Sequence, residues 1–189
     1  MAFSETSIFA AHIHPDQIDP CLNRLNPSEQ TQAMTFSCLP FTDLTATELY
    51  DILALRQEVF IVEQNCPYLD ADGKDLLAWH LMGRNEQGKL LCYTRLLPDG
   101  VSYVGYASIG RVASSPAARG TGIGRELMRR SIEMCKHLFG NQPVKIGAQT
   151  YLLRFYESFG FQSTGEEYLE DGIPHTKMIL KHASVPGSA

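Results

Sequence analysis

One stretch limits the folds open to this chain more than any other: Ser108-Ile109-Gly110-Arg111-Val112-Ala113-Ser114-Ser115-Pro116-Ala117-Ala118-Arg119-Gly120-Thr121-Gly122-Ile123-Gly124-Arg125. It reads as a strand, a short Pro-containing loop and the first turn of a helix. Gly120, Gly122 and Gly124 leave the backbone bare there. Without Cβ atoms a chain can turn tightly, take positive φ and let a ligand approach its amides. The residues that follow are helical, so these amides belong to the unpaired N–H groups of a helix start, at the positive end of its dipole. Arg119 and Arg125 add full positive charges on either side. Such a site suits a phosphate or pyrophosphate; the structural alternative is a glycine-rich helix start with no ligand.

Two common phosphate motifs fail on detail. A P-loop needs Lys and then Ser or Thr after its last glycine, whereas Gly124 is followed by Arg125 and Glu126. A dinucleotide fingerprint needs G-x-G-x-x-G directly after a strand, with an acidic residue at the end of the next one. What remains is R-x-x-G-x-G, as Arg119-Gly120-Thr121-Gly122-Ile123-Gly124.

Composition excludes several functions. A chain of 189 residues is long enough for one domain with a proper core. A net charge of −5 with no Lys or Arg run argues against a nucleic-acid partner. No apolar segment approaches the ~20 residues of a membrane span, so no membrane partner is expected. The first residues lack the basic start and apolar run of a secretory signal. Cys21, Cys38, Cys66, Cys92 and Cys135 are scattered without a C-x-x-C, which suits reduced thiols in a cytoplasm and no bound metal.

Residues 1–35 contain Pro15, Pro20 and Pro27 and no sustained apolar period, and read as a loosely ordered extension. His12 and His14 in it lack further ligands for a metal. The domain proper is expected over 36–182, followed by a small polar tail, 183–189. Phe36–Phe41 reads as a strand. Thr45-Ala46-Thr47-Glu48 is a capping box, followed by Leu49, Ile52, Leu53, Val59 and Phe60 at helical spacing. Arg56 falls on that apolar face and so needs a buried partner. Ile61–Tyr68 reads as an irregular loop, and Asp70, Asp72, Gly73 and Asp75 as an Asx-rich turn rather than a calcium loop. Strands are expected at 79–84, 89–96 and 107–113. A helix with Leu127, Met128, Ile132, Cys135 and Leu138 on one stripe then runs to a Gly140 cap. Val144–Gln149 reads as a strand, Tyr151–Phe159 as a helix, and 161–168 and 176–181 as a strand pair around Asp171-Gly172-Ile173-Pro174. The order predicts an α/β fold: a mixed, mostly antiparallel twisted sheet flanked by helices.

The glycine loop and this order together resemble the GNAT N-acetyltransferase superfamily over residues 36–182, in its ElaA-type branch. That branch is marked by Leu55-Arg56, Val59-Phe60, Val62-Glu63-Gln64-Asn65-Cys66-Pro67-Tyr68, Gly110-Arg111-Val112, Phe155-Tyr156-Glu157-Ser158-Phe159-Gly160-Phe161 and Glu170-Asp171-Gly172-Ile173-Pro174-His175. The resemblance implies acetyl-CoA as cosubstrate, no metal, and direct transfer to an amine-bearing acceptor, a small molecule or peptide. It assigns the donor to Arg111, Val112 and Ala113 through main-chain atoms, to Arg119, Gly120, Thr121, Gly122, Ile123, Gly124 and Arg125 at the pyrophosphate, and to Gln149. Tyr156 is implied as the acid that protonates the departing thiolate, against the alternative of a core tyrosine. Glu63 is the expected base, with His80 and His175 as rivals that could instead shape the acceptor pocket. Covalent transfer through Cys92 or Cys135 is disfavoured because both fall on apolar faces. The acidic residues Glu63, Asp70, Asp72 and Asp75 suggest a primary amine. A catalytically silent acyl-CoA-binding sensor with the same fold is the alternative function, and exposed sheet edges allow a homodimer.

Overall fold

The computed structural model describes residues 34–181; the expected extension up to residue 33, with His12 and His14, and the tail 183–189 lie outside the described residues. Seven strands form one sheet in the order β1-β2-β3-β4-β5-β7-β6. They are β1 (Thr35–Pro40), β2 (Trp79–Arg84), β3 (Leu90–Leu97), β4 (Ala107–Ser114), β5 (Val144–Gln149), β6 (Gln162–Glu170) and β7 (Ile173–Leu180). Every neighbouring pair is antiparallel except β4 and β5. The mixed, mostly antiparallel sheet that the sequence predicts is the one observed.

Alternation along the strands divides the core between the two faces. Leu81 and Cys92 pack with Leu127, Met128 and Cys135 of α2 (Ile123–Phe139), while their neighbours Met82 and Tyr93 pack with Ile52, Leu55 and Val59 on the other face. Ile52 and Leu55 belong to α1 (Ala46–Arg56), whose predicted capping box is formed: Thr45 accepts from the Glu48 amide, and the Glu48 carboxylate accepts from the Thr45 amide. Beyond Arg56 the chain stays helical as a wider π turn over Gln57–Glu63. The loop expected from Ile61 therefore begins only after Glu63. α3 (Leu153–Glu157) is shorter than expected, because Thr150–Leu152 form a 3-10 turn ahead of it.

The last hairpin also differs. Asp171 and Gly172 alone make the turn, both at positive φ (50° and 80°), as a two-residue hairpin requires. Ile173 and Pro174 belong to β7 instead. Pro174 is tolerated there because β5 ends at Gln149, opposite His175, so no neighbour on that side needs its missing N–H.

Two irregularities position the site. β4 and β5 pair only at Ala107–Val144 and Ser108–Lys145, then part. Their C-terminal halves form the arms of a fork. On its other edge β4 carries a bulge: Tyr93 faces Ala113 and Arg95 faces Gly110, so β4 holds one residue more than β3 between these pairs. Arg111 sits in the bulge at φ 48°, a left-handed conformation costing a non-glycine residue about 1–2 kcal/mol.

Candidate active site

The glycine loop forms the floor of one arm of the fork. Gly120 and Gly122 have φ of 79° and 85°, and open space lies where a Cβ would stand. Among the described residues, no hydrogen bond uses the peptide N–H of residues 120, 121, 122, 123 or 124, whereas Arg119 N and Arg125 N are satisfied by Pro116 O and Gly122 O. Five consecutive donors therefore stand free at the start of α2, a helix of 17 residues with no side-chain cap. Thr121 donates its hydroxyl to Ala118 O (2.7 Å), a bond within the loop.

The free edge of β4 supplies further main-chain groups. Ser115 N donates to Leu91 O of β3 (2.8 Å), so by alternation the Ala113 amide also faces β3, and those of Val112 and Ser114 face the fork. Ser114 O, on the same side, accepts from Arg119 (3.2 Å). Of the β4 residues expected at the donor, Val112 keeps its open edge, whereas Ala113 is fully buried in the α1-side core and is turned away. Ser114, two residues on from Val112, presents its main-chain groups on the same open edge.

These groups open into one cavity of about 1040 Å³ lined by Glu63, Gln149, Tyr156 and His175 as well as the glycine loop. Val112 and Gln149 lie on the two arms of the fork, and both line the cavity. Gln149 Nε2 donates to Gln64 Oε1 (3.2 Å). Tyr156 is 6% exposed, packed edge-on against Phe155 and Phe161, and its hydroxyl has no hydrogen-bond partner among the described residues. Burial pushes its pKa up to about 12. It is thus a core tyrosine and a cavity-lining one at once: the ring is packed and the oxygen is unspent.

The three expected bases separate clearly. Glu63 accepts two hydrogen bonds from Arg119, Nη1–Oε1 2.6 Å and Nη2–Oε2 2.8 Å, and these hold its carboxyl below the usual range. His80 does not reach the cavity at all. Its ring is fully buried between Tyr93 Oη (2.8 Å from Nδ1) and Asp75 O (3.1 Å from Nε2), and burial lowers its pKa. His175 lines the cavity. Its Nδ1 lies 2.8 Å from Ile173 O; a carbonyl can only accept, so Nδ1 carries a proton and, in the neutral ring, Nε2 holds the lone pair. Glu170 Oε2 lies 4.0 Å from that nitrogen.

Asp70, Asp72 and Asp75 do not form the amine-attracting patch expected of them. Asp75 accepts from Arg56 (2.8 Å) and Arg95 (3.0 Å), Asp72 accepts two bonds from Arg95 (2.7 and 2.8 Å), and Asp70 accepts from Arg111 (2.7 Å) with Arg56 Nε at 2.8 Å. Three carboxylates thus meet three guanidiniums at the cavity wall, where Asp72, Arg95 and Arg111 line it. This is the buried partner that Arg56 required, and it holds the strained bulge residue Arg111 from its side-chain end. Its charges are neutralised internally. Cys92 and Cys135 are buried, and burial pushes both thiols up to about 12, which leaves them inert.

A forked sheet with free amides at a helix start beside a tyrosine-lined cavity is the arrangement that the resemblance to the GNAT superfamily implies. Comparison with known proteins agrees. The acetyltransferase (GNAT) domain family matches residues 78–182. Protein ElaA of Escherichia coli is 45% identical over 145 residues, covering 74% of this chain and 92% of ElaA. A Synechocystis sp. relative is 43% identical over 141 residues, covering 75% and 91%. Among solved structures, an acyl-CoA N-acyltransferase from Pseudomonas aeruginosa has a TM-score of 0.74 and 46% identity over 78% of this chain and 99% of its own. Escherichia coli ElaA has a TM-score of 0.73 and 40% identity over 79% and 100%. The chain belongs to the GNAT superfamily, in its ElaA-type branch. No helix among the described residues is long and apolar enough to cross a membrane.

Proposed function

We propose that this protein is an acetyl-CoA-dependent N-acetyltransferase that moves the acetyl group directly to an amine of a small molecule or peptide. The observation that carries the reading is the row of five unspent amides at residues 120–124, flanked by Arg119 and Arg125 and opening into the fork. A pyrophosphate fits that row as an anion fits any uncapped helix start. The donor's extended arm follows the free edge of β4 through Val112 and Ser114, and reaches Gln149 on the opposite arm. A main-chain N–H on that edge also faces the thioester oxygen, where negative charge develops on attack.

The chemistry then needs one base and one acid. His175 Nε2 takes the proton of the attacking nitrogen, as its tautomer is already fixed. The nitrogen lone pair forms the new C–N bond, the tetrahedral centre collapses, and the C–S bond breaks. Tyr156 gives its proton to the thiolate; with a pKa of about 12 it is fully protonated at neutral pH. Glu63 serves Arg119 rather than the amine. A covalent relay is disfavoured because Cys92 and Cys135 are sealed in the core. The working unit is the domain over 36–182, and its setting is a cytoplasm.

Calorimetric titration of coenzyme A into the full chain, followed by thiol release from acetyl-CoA with a panel of amines, tests the reading. Binding with amine-dependent thiol release supports it. Binding without turnover would make the protein a sensor of acyl-CoA, and no binding removes the basis of both.

A further inference from the structure

The acceptor's chemical class can be read from the cavity wall opposite the glycine loop; the inference rests on the acetyl-transfer reading and extends it. Ile146, Ala148 and Met178 turn into the α2-side core, so Gly147, His175 and Lys177 face the other way. Lys177 pairs with Gly147, and Tyr168 of β6 pairs with His175. The Tyr168 hydroxyl fills the space over Gly147, where a Cβ would collide with it. The Lys177 ammonium lies 3.9 Å from the Tyr168 ring centre and 4.9 Å from that of Tyr103, and donates to Tyr103 Oη at 3.0 Å. Next along the loop, Ser102 Oγ accepts from Lys74 Nζ at 3.4 Å. Both lysines line the cavity, and neither has a carboxylate partner among the described residues.

This contrasts with the arginines beside them. Arg95 and Arg111 also line the cavity, yet their charge is already met by Asp70, Asp72 and Asp75. The lysines' charge is met by nothing but hydroxyls and ring faces. A half-buried ammonium in that setting is stabilised further by an incoming anion. Burial lowers the Lys177 pKa, but the hydrogen bonds its ammonium donates to the tyrosine hydroxyls outweigh it, so the group stays charged. At the other end of the same wall Glu170 accepts from Tyr168 (3.3 Å) beside His175 and offers negative charge to an amine. His175 and Lys177 are two residues apart on one strand, about 7 Å. The lining is dipolar over the length of a small molecule.

We propose that the acceptor is a small zwitterionic amine whose carboxylate, phosphate or phosphonate sits between Lys177 and Lys74 while its nitrogen faces His175 and Glu170.

The test uses the full chain with acetyl-CoA and separate pools of free amino acids, the same amino acids as amides, and aminoalkylphosphonates, with acetylated products read by mass spectrometry. Products from the acid or phosphonate pools in at least about tenfold excess over the amides support the proposal, and the pool that leads identifies the anion. Equal products from the amide pool overturn it, as does coenzyme A binding with no product from either anionic pool. Failure to bind coenzyme A sinks the underlying reading instead. For the best acceptor, K177M and K74M each lower the acid-to-amide ratio of kcat/KM about tenfold, the scale of one charge-assisted hydrogen bond, and K177R restores much of it. Should K177M fold poorly, K74M decides: an unchanged ratio in it overturns the assignment.

Discussion

Glu63 grips Arg119 through both oxygens and both terminal nitrogens, at 2.6 and 2.8 Å, so the side chain proposed to meet the diphosphate is held by a carboxylate from the helix after α1. Both groups are about two-fifths exposed, and such a pair is worth only ~0.2–1 kcal/mol. On the proposed reading a diphosphate, with several charges, outcompetes it. Glu63→Gln is expected to tighten coenzyme A binding about 2- to 5-fold by calorimetry, and Arg119→Ala to weaken it. If kcat in E63Q stays within a few-fold of the parent, the carboxylate is a placeholder. A hundredfold loss would return the base role to it.

Gly122→Ala forces a Cβ into a left-handed turn without touching any neighbour, because open space surrounds the position. The strain costs about 1–2 kcal/mol. The loop relaxes by rotating its amides, so coenzyme A affinity falls tenfold or more while the urea midpoint moves modestly. Unchanged affinity would show that the free amides of residues 120–124 are not the anchor.

Tyr156→Phe keeps the packed ring against Phe155 and Phe161 and deletes only the unspent hydroxyl. We expect kcat to drop about 10²-fold with little change in the Kd for coenzyme A. A group raised to about 12 holds its proton throughout the alkaline range used in assays. The parent's pH profile should therefore show no falling limb from this tyrosine below about pH 10.

Arg56 is fully buried, and Arg56→Met leaves Asp70 and Asp75 without a main counter-charge. Breaking one side of such a pair costs about 3–5 kcal/mol, read as a fall in the urea midpoint. Burial pushes Asp72 up, but hydrogen bonds and charge from Arg95 outweigh it and hold the carboxyl well below its ordinary value. For Asp75, likewise, Arg56 and Arg95 overcome burial. A carboxylate with a lowered folded pKa contributes stability that is complete above its unfolded pKa near 4 and is lost as pH falls below it. The urea midpoint of the parent should therefore drop steeply below about pH 4, and less so in Asp72→Asn.

Local signals carried the sheet and the glycine loop. Strand alternation, the Thr45–Glu48 box and the positive φ of Gly120 and Gly122 depend on residues a few positions apart, and these were legible before any coordinates. Side-chain partners across the sheet were not. Asp70, Asp72 and Asp75 look acidic in sequence because their arginines lie 14 or more residues away, and only folding brings Arg56, Arg95 and Arg111 to them. His80 and His175 are equivalent on paper. One is enclosed by Phe41 and Tyr93, and the other lies where β7 outruns β5. Which main-chain groups of β4 face the open edge was not legible either, because a bulge shifts the parity of the strand and nothing in Gly110-Arg111-Val112 announces it.

Beyond its two rungs at Ala107–Val144 and Ser108–Lys145, the sheet is unlaced. Whatever slides into the gap bonds to the backbone on one side and so acts as a substitute strand, bracing β4 against the β5–β7–β6 sector. Occupancy by the thioester should thus stiffen the entire domain, with amides on both banks exchanging more slowly and melting shifting upward. On the acetyl-transfer reading, protein and donor would complete one sheet between them, and loss of the acyl carrier would unseal it again.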